Sequence, residues 1–158
     1  MNIASRGLRV WVLWAAAASA ACAQSAAPLL PVAELSPGVF VHSGIVEDWE
    51  PGNGGDVANL AFVVGTRCIA VIDSGGSPEV GRRWRAAVAS ISSLPVCYVI
   101  NTHAHPDHVL GNHAFKAAEP AGPQFAAHAR LPAALAARER YYLNALQRDF
   151  GVEMTHDD

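Results

Sequence analysis

The chain has 158 residues, of which 51% are hydrophobic and 16% are charged, and its formal net charge is −3. This composition excludes a disordered chain, because too much of it is apolar and too little is charged. The small negative charge excludes a nucleic-acid partner, which needs a basic field. The lack of any uninterrupted apolar run of about 18 residues excludes a polytopic membrane protein.

The first 23 residues are typical of a secretory signal peptide. Arg6 and Arg9 form a basic start, residues 10–21 are largely apolar, and residues 21–23 read ACA, a small-residue cleavage site. An uncleaved membrane anchor is the alternative, but 12 apolar residues fall short of the roughly 20 that span a bilayer. We therefore predict a periplasmic or secreted protein with no membrane span after the signal is cleaved.

The rest of the chain alternates predicted strands with predicted helices. A proline-rich linker is expected over residues 24–36. Apolar, β-rich runs predict strands over residues 38–42, 59–64, 68–72, 96–100 and 124–129, and Gly65 with Thr66 predicts a hairpin between the second and third. The run at 96–100 is fully apolar, as expected for a strand buried on both faces.

Three helices are predicted between and after these strands. The first begins with Ser77 as N-cap and Pro78 at the first helical position and ends near Ser92. The others cover residues 108–116 and 131–150, and the apolar stripe of the last one predicts a packing face. This alternation predicts an α/β layered domain.

Cys68 and Cys97 lie in or next to two predicted strands. In an oxidising compartment they could pair, which requires the two strands to be neighbours with suitable geometry. The alternative is two separate thiols that behave as ordinary buried apolar residues.

Histidines are concentrated after the fourth predicted strand. Four of the seven fall between positions 103 and 113, and residues 102–108 read THAHPDH. In layered α/β folds, sites form at the carboxyl edge of such strands. The position of this segment therefore favours a functional site.

The spacing within this segment favours metal binding. Pro106 favours an extended conformation of His105, so His103 and His105 project to the same side and can converge on one ion. Asp107 and His108 follow at the start of a helix and could hold a second ion. Imidazole nitrogen and carboxylate oxygen suit Zn²⁺.

A purely structural reading of the segment is weaker. Taken alone, Asp107 could cap the helix that starts at His108. Three imidazoles within six residues, however, would repel one another when protonated and have no evident stabilising role without a metal. We therefore predict a metal site.

The segment THAHPDH resembles the T-H-x-H-x-D-H motif of the metallo-β-lactamase superfamily. Residues 70–75, AVIDSG, and residues 59–65, NLAFVVG, resemble the elements that precede that motif. Residues 101–112 are also similar to exported members called quinoprotein relay zinc metallohydrolases. The resemblance covers residues 36–150 and implies an α/β fold that is half of an αββα sandwich, with residues 37–158 as the N-terminal part of the domain.

The resemblance also implies the chemistry. His103 and His105 would hold a first zinc ion, Asp107 and His108 a second, and Asp73 would orient the metal loop. Water or hydroxide between the metals would attack an amide, thioester or ester of a small-molecule substrate, and Asp107 would orient that water or take its proton. The fold does not choose among these substrates.

Other candidate residues have weaker support. The resemblance places the loop of Trp49 over the active site, where the indole could contact an apolar substrate; covering the sheet is the alternative. His113 and His128 match no ligand position and are expected at the surface or at a strand edge. His156 lies in an acidic tail and is assigned no role.

The sequence departs from the family pattern after His108, because the family's remaining ligands, a His, a bridging Asp and a final His, have no counterpart here. Two protein ligands per ion are fewer than the three of a catalytic zinc site. We expect the N-terminal part of an exported zinc hydrolase that is incomplete and inactive alone. One alternative is a non-catalytic metal-binding or interaction module completed by a partner, with self-association through the uncovered sheet; another is a structural domain that binds no metal.

Overall fold

The computed structural model describes residues 28–116 and 122–151. The predicted signal peptide at 1–23 and the acidic tail with His156 lie outside the described residues. Within the described ranges, no helix has both the length and the apolar character needed to cross a membrane.

Six strands form one sheet, in the order in which they occur along the chain. They are β1 (Ala33–Ser36), β2 (Val39–His42), β3 (Leu60–Val64), β4 (Ile69–Ile72), β5 (Val96–Asn101) and β6 (Gln124–Ala127). Neighbours are antiparallel from β1 to β4 and parallel from β4 to β6. The five predicted strands and the β3–β4 hairpin are present, which confirms the α/β class.

Strand β1 lies where the sequence predicts a linker. All four of its residues are exposed, so the strand has no apolar alternation that a pattern could detect. It is held by backbone pairing of Ala33 with Val41 and of Glu34 with Phe40. The linker prediction is therefore wrong for residues 33–36.

Helix α1 (Pro78–Ile91) covers one face of the sheet and begins as predicted. The Ser77 hydroxyl accepts a hydrogen bond from the Val80 N–H at 3.2 Å, and Pro78 occupies the first turn. The buried side of α1 joins the sheet in one apolar core whose largest members are Trp84, Phe62, Phe115, Leu60 and Ile69.

The opposite face of the sheet is apolar and partly exposed. The strand register places Val63, Ala70, Ile72, Tyr98 and Ile100 together on this side, and we call these five residues the open sheet face. Tyr98 is 44% exposed and Ile100 is 37% exposed. The prediction that the run at 96–100 is buried on both faces is therefore wrong for the described residues. A fully apolar run predicts that both faces of a strand are covered, but it does not indicate which residues cover them.

A disulfide joins Cys68 and Cys97. The two residues lie beside or within neighbouring parallel strands, and their Cα atoms are 5.7 Å apart. This separation is within the range of ordinary disulfides, about 4.4–6.8 Å. The structure thus selects the paired state of the two cysteines.

The helix predicted over 108–116 is interrupted. The structure has α2 (Pro106–Val109) and α3 (His113–Lys116), with Gly111 between them. A Cβ atom on Gly111 would clash with the backbone of Ser74 and of Gly81. The break lets the chain approach the loop after β4 and helix α1, a contact that periodicity alone does not report.

The helix predicted over 131–150 is also divided, into α4 (Leu131–Ala136) and α5 (Glu139–Phe150). Between them, the Arg138 N–H donates to the Leu135 carbonyl at 2.9 Å, a tighter turn than that of an α-helix. Neither glycine nor proline marks this break, so the sequence gives no local signal for it. A further short element is a 3₁₀-helix, Pro51–Asn53.

Candidate metal centre

The predicted metal segment lies at the carboxyl edge of two neighbouring parallel strands. Asp73 follows β4, and residues 102–108 follow β5. The Asp73 N–H donates to the Ile100 carbonyl at 2.9 Å and so ties the two strand ends together. Because parallel strands end at the same edge, this topology brings Asp73 against the motif.

Asp73 is the buried acceptor that organises the segment. It is 2% exposed, and its φ of 58° lies in the left-handed region that Asp tolerates better than most residues. Its Oδ1 accepts from the Thr102 N–H at 2.8 Å. Its Oδ2 accepts from the Thr102 hydroxyl at 2.7 Å and lies 2.8 Å from Nδ1 of His108.

These contacts determine which nitrogen of two histidines carries a hydrogen. A carboxylate only accepts, so His108 Nδ1 is the donor to Asp73. Thr102 has one hydroxyl hydrogen, which it gives to Asp73, and its Oγ1 therefore accepts from His103 Nδ1 at 2.9 Å. In His103 this leaves Nε2 as the nitrogen that can bind a metal, and in His108 it assigns that part to Nε2 once the ring is neutral.

The imidazoles of the motif lie together. The ring centroid of His103 is 4.6 Å from that of His105 and 4.1 Å from that of His108. Asp107 Oδ2 is 3.2 Å from His108 Nε2. The structure thus brings the four predicted ligands into one cluster.

No complete metal site exists among the described residues. Across 28–116 and 122–151, no three His, Cys, Asp or Glu side chains are arranged to hold one ion. Metal ligation by the four motif residues therefore stays a prediction. The donor chemistry nevertheless fits zinc, since the cluster offers imidazole nitrogens and a carboxylate oxygen.

The cluster has an uneven charge distribution. Burial acts to lower the pKa of His108, but hydrogen bonds to Asp107 and Asp73 outweigh it and raise that pKa to about 9. Partial burial and the neighbouring His108 and His105 lower the pKa of His103, and the hydrogen bond to His108 lowers the pKa of Asp107. At neutral pH, His108 therefore holds a proton that any metal ligand role would require it to lose.

Several residues that hold the segment were not singled out from the sequence. The Ser74 N–H and hydroxyl both donate to the His108 carbonyl, at 2.9 and 3.2 Å. The side-chain amides of Asn101 and Asn112 pair with each other at 3.1 and 2.8 Å. Both asparagines flank the motif, which is a usable signal, but their pairing depends on the fold of α2 between them.

Trp49 lies at the edge of this cluster. Its Nε1–H donates to the Gly76 carbonyl at 2.8 Å, and its ring centroid is 4.7 Å from that of Phe150. Together with His105 and Asp107 it lines a cavity of about 460 Å³. These contacts support both readings of the indole, and contact with a substrate stays a prediction.

The remaining predicted histidines lie outside the motif segment. His113 begins α3 and is half-buried, and His128 is exposed just after β6.

The family model described as "Metallo-beta-lactamase superfamily" matches residues 53–147. This range contains Asp73 and the whole segment 102–108. No curated protein matches the chain.

Solved structures of metallo-beta-lactamases share the fold. FIM-1 from Pseudomonas aeruginosa, in its mono-zinc form, aligns with a TM-score of 0.55 and 18% identity over 75% of this chain and 50% of its own. A metallo-beta-lactamase from Hirschia baltica gives 0.54 and 18%, over 70% and 48%. TMB-1 gives 0.52 and 22%, over 72% and 49%. The present chain spans about half the length of these structures.

Proposed function

The chain belongs to the metallo-beta-lactamase superfamily, and we propose that it forms part of an exported, zinc-dependent hydrolase. The observation that carries the proposal is the hydrogen-bond network around Asp73. Asp73 binds Nδ1 of His108 directly and Nδ1 of His103 through Thr102, so the metal-binding nitrogen would be Nε2 in both rings, once His108 has lost its proton. Such outer partners are what orient histidine ligands in metal sites.

Within this proposal the four motif residues divide into two pairs. His103 and His105 would hold one zinc ion, and Asp107 and His108 another. Bound Zn²⁺ supplies a Lewis acid that polarises a carbonyl or ester group and lowers the pKa of water. The hydrogen bond to His108 lowers the pKa of Asp107, so its ionised carboxylate would orient a polar hydrogen more readily than it would take the proton.

The reaction class we propose is hydrolysis of an amide, thioester or ester in a small molecule. Export is proposed on two grounds. The first 23 residues are typical of a signal peptide, and the Cys68–Cys97 disulfide is expected in an oxidising compartment.

We further propose that donors outside the described residues complete the site. Each pair of motif residues gives an ion two protein ligands, whereas catalytic zinc usually has three. The open sheet face also lacks a covering layer among the described residues. We therefore expect these 158 residues alone to bind zinc weakly and to hydrolyse substrates negligibly.

Zinc binding by the purified chain tests the proposal. Zinc bound at equilibrium is measured by elemental analysis on both sides of a dialysis membrane, and its affinity by competition with a weak chelator. His103→Ala should lose most of the binding. His128→Ala removes an exposed histidine outside the motif and should bind zinc like the wild type. The proposal is wrong if the wild type binds no zinc, or if the two variants bind it equally.

The second candidate function is a non-catalytic metal-binding module completed by a second copy of this chain. The open sheet face favours it, because Tyr98 and Ile100 expose apolar surface that sheet-on-sheet packing would bury. A symmetric pair would also double the number of donors. Light scattering across a concentration series, with and without zinc, should then show a dimer. Ile100→Lys, on the open sheet face, should abolish that dimer, whereas Tyr141→Lys, on α5, should not. A monomer at all concentrations removes this candidate.

A further inference from the structure

A cavity of about 460 Å³ adjoins the motif cluster. His105 and Asp107 line one side of it, Trp49 lines another, and Arg138 and Tyr141 line the side formed by α5 and the turn before it. Any molecule presented to the motif from this direction must contact these side chains. The cavity therefore combines aromatic surface with a single guanidinium group.

The wall that carries Arg138 is fixed to the motif. The Tyr142 hydroxyl donates to the Ala104 carbonyl, inside the motif segment, at 2.7 Å. The Tyr142 N–H in turn donates to the Arg138 carbonyl at 3.0 Å. The backbone that carries the guanidinium is thus held at a set position relative to His105 and Asp107.

Arg138 has no acidic partner within residues 28–116 and 122–151. Its Nη1 donates to the Ala134 carbonyl at 3.1 Å, which leaves the other guanidinium hydrogens available. Other arginines of the described chain do form ion pairs, Arg82 with Glu79 and Arg148 with Asp149. An arginine that faces a cavity without a carboxylate partner is suited to bind an anionic group.

We propose that this cavity binds the substrate and that Arg138 recognises a carboxylate, or a similar organic anion, carried by that substrate next to its aromatic or apolar part. The inference rests on the proposed function, in which His105 belongs to one zinc pair and Asp107 to the other. It narrows the substrate class to an acid with an apolar group that can lie against Trp49 and Tyr141. The protonated His108 offsets part of the Asp107 charge, and zinc would add further positive charge beside the cavity, so the anion should bind more tightly when zinc is present.

A matched pair of probes tests this inference: 3-phenylpropionate and 3-phenylpropionamide, which differ in charge but little in shape. Each is titrated into the zinc-loaded full chain, and affinity is measured from NMR chemical-shift changes. The wild type should bind the carboxylate at least about fivefold tighter than the amide, the gain expected of a charge-assisted contact near the surface. Arg138→Gln should lose most of that preference, and Arg138→Lys should recover part of it.

Arg140→Gln is the matched control, since Arg140 lies two residues further along and does not line this cavity. It should keep the full preference for the carboxylate. If Arg138→Gln keeps it too, the anion is recognised elsewhere and the inference is wrong. Zinc content is measured on the same samples: a wild type without zinc overturns the proposed function, whereas a zinc-loaded wild type with no carboxylate preference overturns only the role of Arg138.

Discussion

Asp73→Asn is the substitution that most directly tests how the motif is held. It replaces one carboxylate oxygen by an NH₂ group of almost the same size, and Asn tolerates the left-handed backbone at this position. The amide oxygen can still accept from the Thr102 N–H. The amide nitrogen then faces Thr102 Oγ1 and His108 Nδ1, where the native oxygen accepts two hydrogen bonds.

The exchange reverses the direction of both hydrogen bonds. An NH₂ group donates, so it favours the His108 tautomer that has no hydrogen on Nδ1 and carries one on Nε2. Thr102 no longer gives its hydrogen to residue 73 and can donate it to His103 Nδ1. The His103 ring then also favours the tautomer that carries its hydrogen on Nε2. Both rings then hold a hydrogen on the nitrogen that must bind zinc.

Two contributions of opposite sign determine how far zinc affinity falls in the Asp73→Asn chain. Loss of an outer hydrogen-bond partner costs about 10–100-fold in metal affinity. Against this, the proton of His108, whose pKa is about 9, competes with zinc in the wild type at pH 7. Losing Asp73 removes one of the two partners that raise that pKa. We therefore expect zinc affinity to fall about tenfold at pH 7 and closer to 100-fold at pH 9, where about half of His108 is deprotonated and proton competition is weak.

The assay is chelator competition for zinc between pH 7 and pH 9, with the fold checked by circular dichroism. Asp56→Asn is the control, because Asp56 forms a buried pair with His42 at 2.7 Å, and the other ring nitrogen of His42 binds the Pro31 carbonyl and not the motif. It perturbs a comparable Asp–His contact and should leave zinc affinity unchanged. A folded Asp73→Asn chain that binds zinc as tightly as the wild type over the whole pH range would refute the tautomer argument.

Three further predictions concern single contacts. Thr102→Val removes the hydroxyl that accepts from His103 and leaves the contact of Asp73 with His108 in place. Zinc affinity, measured by the same chelator competition, should therefore fall about fivefold, which is less than in the Asp73→Asn chain. Replacing Cys68 and Cys97 by Ser opens a loop with a sequence separation of 29 and should lower the free energy of unfolding by roughly 3–4 kcal/mol. Urea unfolding of the wild type with and without reductant should show the same difference. Equal unfolding midpoints in the two conditions would contradict the prediction. Gly111→Ala places a Cβ against the backbone of two other segments and should lower the free energy of unfolding in urea by about 1–3 kcal/mol. Gly52→Ala is its control: the added Cβ meets only a flexible side chain and should lower that free energy much less.

The elements that the sequence predicted well are those with a local signal. Helix α1 has its N-cap Ser77 and Pro78 next to each other in the chain, and the hairpin turn at 65–66 is contiguous. The motif 102–108 is likewise continuous, so its four candidate ligands could be named without a structure.

What the sequence missed depends on backbone pairing or on contacts between distant segments, neither of which leaves a pattern of apolar residues. Strand β1 exists only through pairing with β2, and the break at Gly111 reflects its approach to Ser74. The resemblance implied that Asp73 orients the motif, but the role of Thr102 as the link from Asp73 to His103 required atomic positions. Asp73 lies 29 positions from Thr102 and 35 from His108 in the chain, and no pattern of hydrophobicity or spacing reports such contacts.

The Asp73 network separates two requirements of a metal site. Orientation of the His103 and His108 rings is supplied by residues within this half of the fold, because every contact that sets Nδ1 comes from Asp73 or Thr102. The number of ligands is not supplied within it, because in the proposed site each pair of motif residues would give an ion only two protein donors. Added donors should therefore raise zinc affinity without reorienting these two histidines, so the weakness expected of the isolated chain follows from ligand count and not from a badly formed motif.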